Sequence, residues 1–183
     1  SKKGNETGML TDESQTSWAT QIGFTKPNYS VSAILNNKYN GWADTSYFTS
    51  DDGAARPGDG SSTNIGLRAW WRPDSTGTAM PSISLGYDTS KTDADDNNST
   101  NAYFVGLNWQ DIFSADDRIG VALGQPQKHE DDTVDPFLYE VYYEYKVNDS
   151  ITVTPTIFGG NHANGAGEDT DMSGYVVNTT FKF

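Results

Sequence analysis

The sequence predicts an all-β protein, a transmembrane antiparallel up-and-down β-barrel, and three observations carry that prediction. Nine segments alternate apolar and polar residues with a period of 2, the pattern of a strand with one apolar face. Charged residues inside those segments all fall on the face opposite the apolar one. Lipid would enforce that segregation, because a charge at the bilayer midplane costs ~2–4 kcal/mol. The connections alternate short and long, as periplasmic turns and extracellular loops do.

Residues 1–16 carry Gly, Asn, Thr and both charges without periodicity and read as an extracellular loop. The first strand, Ser17–Thr25, sets Trp18, Ile22 and Phe24 against Ala19, Gln21 and Gly23. Lys26-Pro27-Asn28 turns it into the second, with Tyr29, Val31, Ala33 and Leu35 against Ser30, Ser32, Ile34 and Asn36. After the polar loop Asn37–Ser62 comes the third, Thr63–Arg72, where Ile65, Leu67, Ala69 and Trp71 oppose Asn64, Gly66, Arg68 and Trp70. Pro73–Thr78 leads to the fourth, Pro81–Thr89, with Ile83, Leu85 and Tyr87 against Ser82, Ser84, Gly86 and Asp88.

The acidic loop Ser90–Asn101 precedes a fifth strand whose apolar face is Tyr103, Val105, Leu107 and Trp109. Asp111–Asp117 turns into the sixth, where Ile119, Val121 and Leu123 oppose Gly120, Ala122 and Gly124. Loop Gln125–Asp135 leads to the seventh, which sets Phe137, Tyr139, Val141, Tyr143, Tyr145 and Val147 against Leu138, Glu140, Tyr142, Glu144 and Lys146. Asn148-Asp149 gives the eighth, with Ile151, Val153, Pro155 and Ile157 opposite Thr152, Thr154 and Thr156. Loop Gly159–Met172 closes onto the last, Gly174–Phe183, where Tyr175, Val177, Thr179, Phe181 and Phe183 share a face.

The apolar face is aromatic at its ends and aliphatic between. Trp18, Tyr87, Tyr103, Phe137 and Tyr175 fall toward the long loops; Phe24, Tyr29, Trp71, Trp109, Tyr145, Phe181 and Phe183 fall toward the short turns. Two such belts match the two membrane interfaces. A soluble β-sandwich explains the alternation but not the belts. Bulk composition agrees with a membrane barrel. Hydrophobic residues make up only 34%, so no apolar run suffices for a membrane helix, while aromatic residues reach 13%. A formal charge of −13 argues against nucleic acid as partner, since phosphates need a basic footprint. The absence of cysteine rules out disulfides and thiolate metal sites.

On the second face, Arg68, Arg72, Asp88, Arg118, Glu140, Glu144, Lys146 and Lys182, with Asn108 and Asn178, are the expected pore-lining residues. Arg68, Arg72, Arg118, Lys146 and Lys182 cluster toward the short-turn end, and Glu140 and Glu144 offer Lys146 partners on the same strand and face, Glu144 at i,i+2 spacing. The long-loop segments hold 17 of the 25 acidic residues and 6 of the 12 basic ones. An acidic mouth above a basic ring would tune which ions pass; alternatively, these are wall residues pairing across strands. No catalytic constellation, cofactor or metal motif emerges, so an enzyme is not expected. His129 and His162 read as loop residues. Asp93-Ala94-Asp95-Asp96 lacks the Gly and terminal Glu of a calcium loop, and Gly165-Ala166-Gly167 lacks the strand–helix context of a phosphate cradle.

Strand parity adds an expectation. With Phe183 on the periplasmic side, nine antiparallel strands place Ser17 outside, whereas single-chain bacterial barrels normally have an even count. Upstream strands are therefore expected beyond this chain; the competing reading is a tenth strand within residues 1–16, whose pattern is poor.

The run Val105-Gly106-Leu107-Asn108-Trp109-Gln110-Asp111-Ile112-Phe113, followed by Arg118 to Pro126, resembles the cyanobacterial outer-membrane porins of the carbohydrate-selective (OprB-like) family, some of them described as iron-uptake porins. So do Pro136–Val147 with Asn148 to Pro155, and the terminal Thr179-Thr180-Phe181-Lys182-Phe183. The resemblance covers most of residues 17–183. It implies a barrel of about sixteen strands, a homotrimer, and passage of small solutes and ions, including sugars or iron. It also implies an S-layer-homology domain and earlier strands, which are not in this chain. Two other functions fit the same residues: a non-channel barrel whose acidic loops bind a partner, and a soluble carbohydrate-binding sandwich.

Overall fold

The computed structural model describes residues 8, 11, 14–39, 61–92, 99–130, 132–162 and 171–183. They form nine strands: β1 (Thr16–Lys26), β2 (Tyr29–Tyr39), β3 (Ser62–Trp71), β4 (Ser82–Thr92), β5 (Ser99–Gln110), β6 (Arg118–His129), β7 (Phe137–Asn148), β8 (Ile151–Asn161) and β9 (Met172–Phe181). Each pairs antiparallel with the next, giving one up-and-down sheet in the order β1 to β9. No helix occurs among the described residues. Strands of 10 to 12 residues match the ~9–11 needed to cross a bilayer at a tilt.

Register follows the sequence pattern. Val31 stands opposite Phe24 and Ala69, Leu67 opposite Tyr87, and Leu85 opposite Val105. Val121 joins Leu107 to Val141, which in turn meets Ile157 and then Tyr175 on β9. A one-residue slip anywhere would move a strand's apolar set to the other face. The aromatic residues stack in register too: Tyr29 opposite Trp71, and Tyr87 opposite Tyr103.

Among the described residues no hydrophobic side chain is buried. Val141 and Phe181 are 42% and 57% exposed, and Trp109 is half-buried. A sandwich would pack such residues between two sheets; the described residues form one sheet, with no second sheet among them to cover it. Exposed apolar surface of this extent needs another solvent or partner.

Several strands run further toward the long-loop side than the alternation indicates. β4 continues to Thr92, β5 begins at Ser99, β6 reaches His129 and β8 reaches Asn161. The reason lies in the outer face. Above Tyr87 and Tyr103 it becomes polar, with Thr89 opposite Asn101 and Gln125 opposite Tyr103. Hydropathy ends there while the hydrogen-bond ladder goes on. His129 is consequently not a loop residue: it ends β6 fully buried, its N–H donating to Asp132 (2.7 Å). His162 follows β8 directly, with φ +47°. The last strand starts at Met172 and ends at Phe181, leaving Lys182 and Phe183 beyond it.

At the opposite end the short connections are bonded to one another. The N–H of Arg72 donates to Asn28 O (2.8 Å), and Asn28 Nδ2 to Asp74 (2.6 Å). Gly77 N donates to Gln110 O (2.8 Å), and the Trp109 indole to Ala79 O (2.9 Å). Lys146 Nζ reaches Asp116 at 2.9 Å and Asp149 at 3.2 Å, and Lys182 N donates to Ser150 O (2.9 Å).

The turn between β5 and β6 is organised by Asp117. Its buried carboxylate accepts N–H bonds from Ile112 (2.8 Å), Phe113 (3.0 Å) and Ser114 (3.0 Å), and the Tyr143 hydroxyl (3.1 Å). Asp111 and Asp116 hold the left-handed conformations that close the turn, φ +59° and +65°, which a short polar side chain tolerates.

Candidate functional site

The second face of the sheet carries the residues that sequence singles out for solute contact. On β3 it presents Asn64, Gly66, Arg68 and Trp70, and on β4 Ser90, Asp88, Gly86 and Ser84, paired in register. Arg68 lies opposite Gly86, and Asp88 opposite Gly66. The two side chains meet diagonally, Arg68 Nη2 to Asp88 Oδ2 at 2.8 Å, both about half exposed. The second Arg68 amino group donates to Leu67 O (2.8 Å) and Tyr87 O (3.2 Å). Its guanidinium also stands 5.7 Å from the centre of the Phe104 ring. Gly66 leaves the room this arrangement needs, because a Cβ there would lie 2.8 Å from Asp88 Oδ1.

Further round the wall, Asn108 donates to the Tyr142 hydroxyl (2.9 Å) and to Ile119 O (3.3 Å). Arg118 on β6 approaches its register partner Glu144 on β7, Nε to Oε1 3.8 Å. Lys146 takes its partners from the turns, Asp116 and Asp149, rather than from Glu140 and Glu144 on its own strand. Side chains two apart on a strand stand side by side ~6.6 Å along it, whereas Asp116 and Asp149 close over the strand's end. That lysine holds the Asp116 carboxyl below the usual carboxylate range, first by its hydrogen bond and then by its charge. Burial pushes Asp117 up, but the three N–H bonds and the Tyr143 hydroxyl outweigh it and leave its carboxyl low.

Arg72 stands apart from these pairs. Its Nε donates to Pro27 O (2.8 Å), and its guanidinium lies 5.6 Å from the centre of the Trp70 ring. Among the described residues it has no carboxylate partner. Asn178 sits opposite Thr154 on the same face, and Lys182 lies just past β9.

The same face also carries large side chains laid over glycines. A Cβ at Gly86 would lie 2.1 Å from the Phe104 ring, and one at Gly120 2.0 Å from the Tyr142 ring. One at Gly174 would lie 2.7 Å from Phe158. The signal was present: each glycine faces its aromatic residue in register, and aromatic rings cover exposed strand glycines for lack of a side chain beneath them. Among the described residues, no three His, Asp or Glu side chains gather closely enough to hold a metal ion. Asp93-Ala94-Asp95-Asp96, Gly165-Ala166-Gly167 and most of residues 1–16 and 40–60 lie outside the described residues.

A solved structure shares this architecture. OmpT, an outer membrane protein of Vibrio cholerae in its trimer form, superposes with a TM-score of 0.53 at 14% identity, over 93% of this chain and 57% of that one. The chain therefore spans little more than half the length of that protein. No curated protein matches in sequence. The sequence profile of the carbohydrate-selective porin, OprB family, matches residues 18–158, from the start of the first strand to the eighth. This chain, with its single-layer sheet of one apolar and one charged face, belongs to the OprB family of carbohydrate-selective porins.

Proposed function

We propose that the chain forms part of the wall of an outer-membrane channel through which small hydrophilic solutes, sugars among them, and inorganic ions diffuse down their gradients. The sheet's two faces are the observation that supports this reading most. One bears Trp18, Phe24, Tyr87, Trp109 and Phe181 and suits lipid; the other bears Arg68, Asp88, Glu144 and Lys146 and suits water. With nine strands among the described residues, β1 and β9 run in the same direction. A wholly antiparallel closure thus takes an odd number of further strands, and we assign these to a segment outside residues 1–183, as in a barrel of about sixteen. In this reading the short turns and Phe183 are periplasmic, the acidic long loops are extracellular, and three copies assemble. A cyanobacterial source and passage of iron belong to the same proposal through the resemblance of the Val105–Phe113 and Arg118–Pro126 runs.

We assign a pore-lining role to Arg68, Arg72, Asp88, Asn108, Arg118, Glu140, Glu144, Lys146 and Asn178, which their shared face supports, and to Lys182 just past β9. Because Arg68, Arg118 and Lys146 each stand near a carboxylate, the basic ring is largely compensated within the wall. Purified native protein in planar bilayers tests the channel. Stepwise conductance, with sugar uptake into loaded vesicles, is expected; a protein that inserts yet never conducts overturns the proposal.

A further inference from the structure

The recess beneath Arg72, at the short-turn end of the charged face, has the chemistry of a ligand site. Pro27, Arg72, Asp74, Ser82, Asn108 and Gln110 line a cavity of about 320 Å³, at the small end of the ~300–1,000 Å³ that encloses small ligands. Arg72 is exposed and held from two sides, by the Pro27 carbonyl on its Nε and by the Trp70 ring. Both terminal nitrogens stay unengaged among the described residues. A guanidinium anchored through Nε and a ring face keeps its two-pronged edge for two oxygens of a carboxylate or phosphate. The other inward arginines differ: Arg68 spends that edge on Asp88 and two carbonyls, and Arg118 faces Glu144.

The rest of the lining suits hydroxyl groups. Asn108 gives its amide N–H to Tyr142 and Ile119, which leaves its carbonyl oxygen as an acceptor. Asp74 accepts from Asn28 through one oxygen and has another for a second donor. Ser82 and Gln110 add groups that both give and accept.

We infer that this recess binds a sugar carrying an oxyanion, a carboxylate or a phosphate, with the anionic group on Arg72 and the hydroxyls on Asp74, Asn108 and Ser82. The inference rests on the channel reading only in placing the recess on the solute path; binding itself is measured without transport. It makes the short-turn mouth a discriminating exit and leaves neutral sugars to pass by diffusion.

Detergent-solubilised native protein titrated with glucuronate, glucose 6-phosphate and glucose tests it by calorimetry. Tighter binding of glucuronate than of glucose assigns the site to carboxylates, and tighter binding of glucose 6-phosphate assigns it to phosphates. Arg72→Gln should weaken the anionic sugar about tenfold or more, the loss expected for a charge-assisted hydrogen bond, with glucose unchanged. Arg72→Lys, which keeps charge but not the fork, should fall between. In case Arg72→Gln disturbs the Pro27 turn, phenylglyoxal labelling of the unmutated protein gives a second readout. The preferred anionic sugar should shield Arg72 and glucose should not. Equal binding of all three sugars, an Arg72→Gln shift that is the same for glucose, or unshielded labelling overturns the inference. An absence of conductance overturns the channel and leaves these outcomes standing.

Discussion

Arg68 on β3 and Asp88 on β4 meet diagonally across the strand pair at 2.8 Å, each about half exposed, over a glycine whose missing side chain makes room for them. An exposed pair of this kind stabilises by ~0–1 kcal/mol. Its larger effect is on the field at the wall. Asp88→Asn should leave thermal stability within ~0.5 kcal/mol and shift the reversal potential in a salt gradient toward anions. An unchanged ion preference would show that this pair does not border the solute path.

Tyr142 covers Gly120, where a Cβ would sit 2.0 Å from the ring, whereas the same face at Gly106 offers 3.6 Å to the nearest atom. Gly120→Ala must displace the ring and with it the bond from Asn108. Overpacking of that sort costs ~1–3 kcal/mol, and Gly106→Ala should be near neutral. Urea unfolding in detergent compares the two, and equal midpoints would contradict the close packing.

The outward face makes a prediction about lipid. Val141 is 42% exposed in mid-strand, so in water Val141→Arg would be nearly neutral. At the bilayer midplane it should cost ~2–4 kcal/mol. Thr154→Arg, on the other face, should be tolerated. Folding yield into lipid vesicles separates the two, and indifference to Val141→Arg would remove the lipid contact.

Asp117 lies in the turn with a carboxyl held low by its N–H partners against the opposing effect of burial. A carboxylate whose folded value is depressed adds stability above its unfolded value, near ~4. That stability is lost as pH falls through the lower, folded value. Asp117→Asn should therefore lower the melting temperature at pH 7, and the gap to the wild type should close as the pH drops below ~4. A gap that stays constant with pH would mean that charge at Asp117 contributes nothing.

Strand order and facing were legible because a period of 2 in residues such as Val121, Val141 and Ile157 bars any one-residue slip, which would carry the apolar set to the other face. The ends of β4, β5 and β6 were not. Asn101 and Gln125 continue the ladder with polar side chains on the outer face, so nothing in hydropathy marks them as strand. Partner choice was half legible. Cross-strand neighbours such as Arg118 and Glu144 follow from register, but Lys146 turns to Asp116 and Asp149, which only the folded turns bring within reach. The rings of Phe104 and Tyr142 look like stray apolar residues in a linear pattern and gain a purpose only beside Gly86 and Gly120.

The bonds running from Asn28 to Asp74, from Trp109 to Ala79, and from Lys146 to Asp116 and Asp149 make the short-turn end behave as a stitched hem. A fabric sewn along one border keeps its circumference there however freely the other border is cut. In the channel proposed above, the long-loop side could thus lengthen, shorten or change charge while the bonded turns beside Arg72 keep their spacing, so that solute selection at Arg72 would be inherited separately from changes in the long loops.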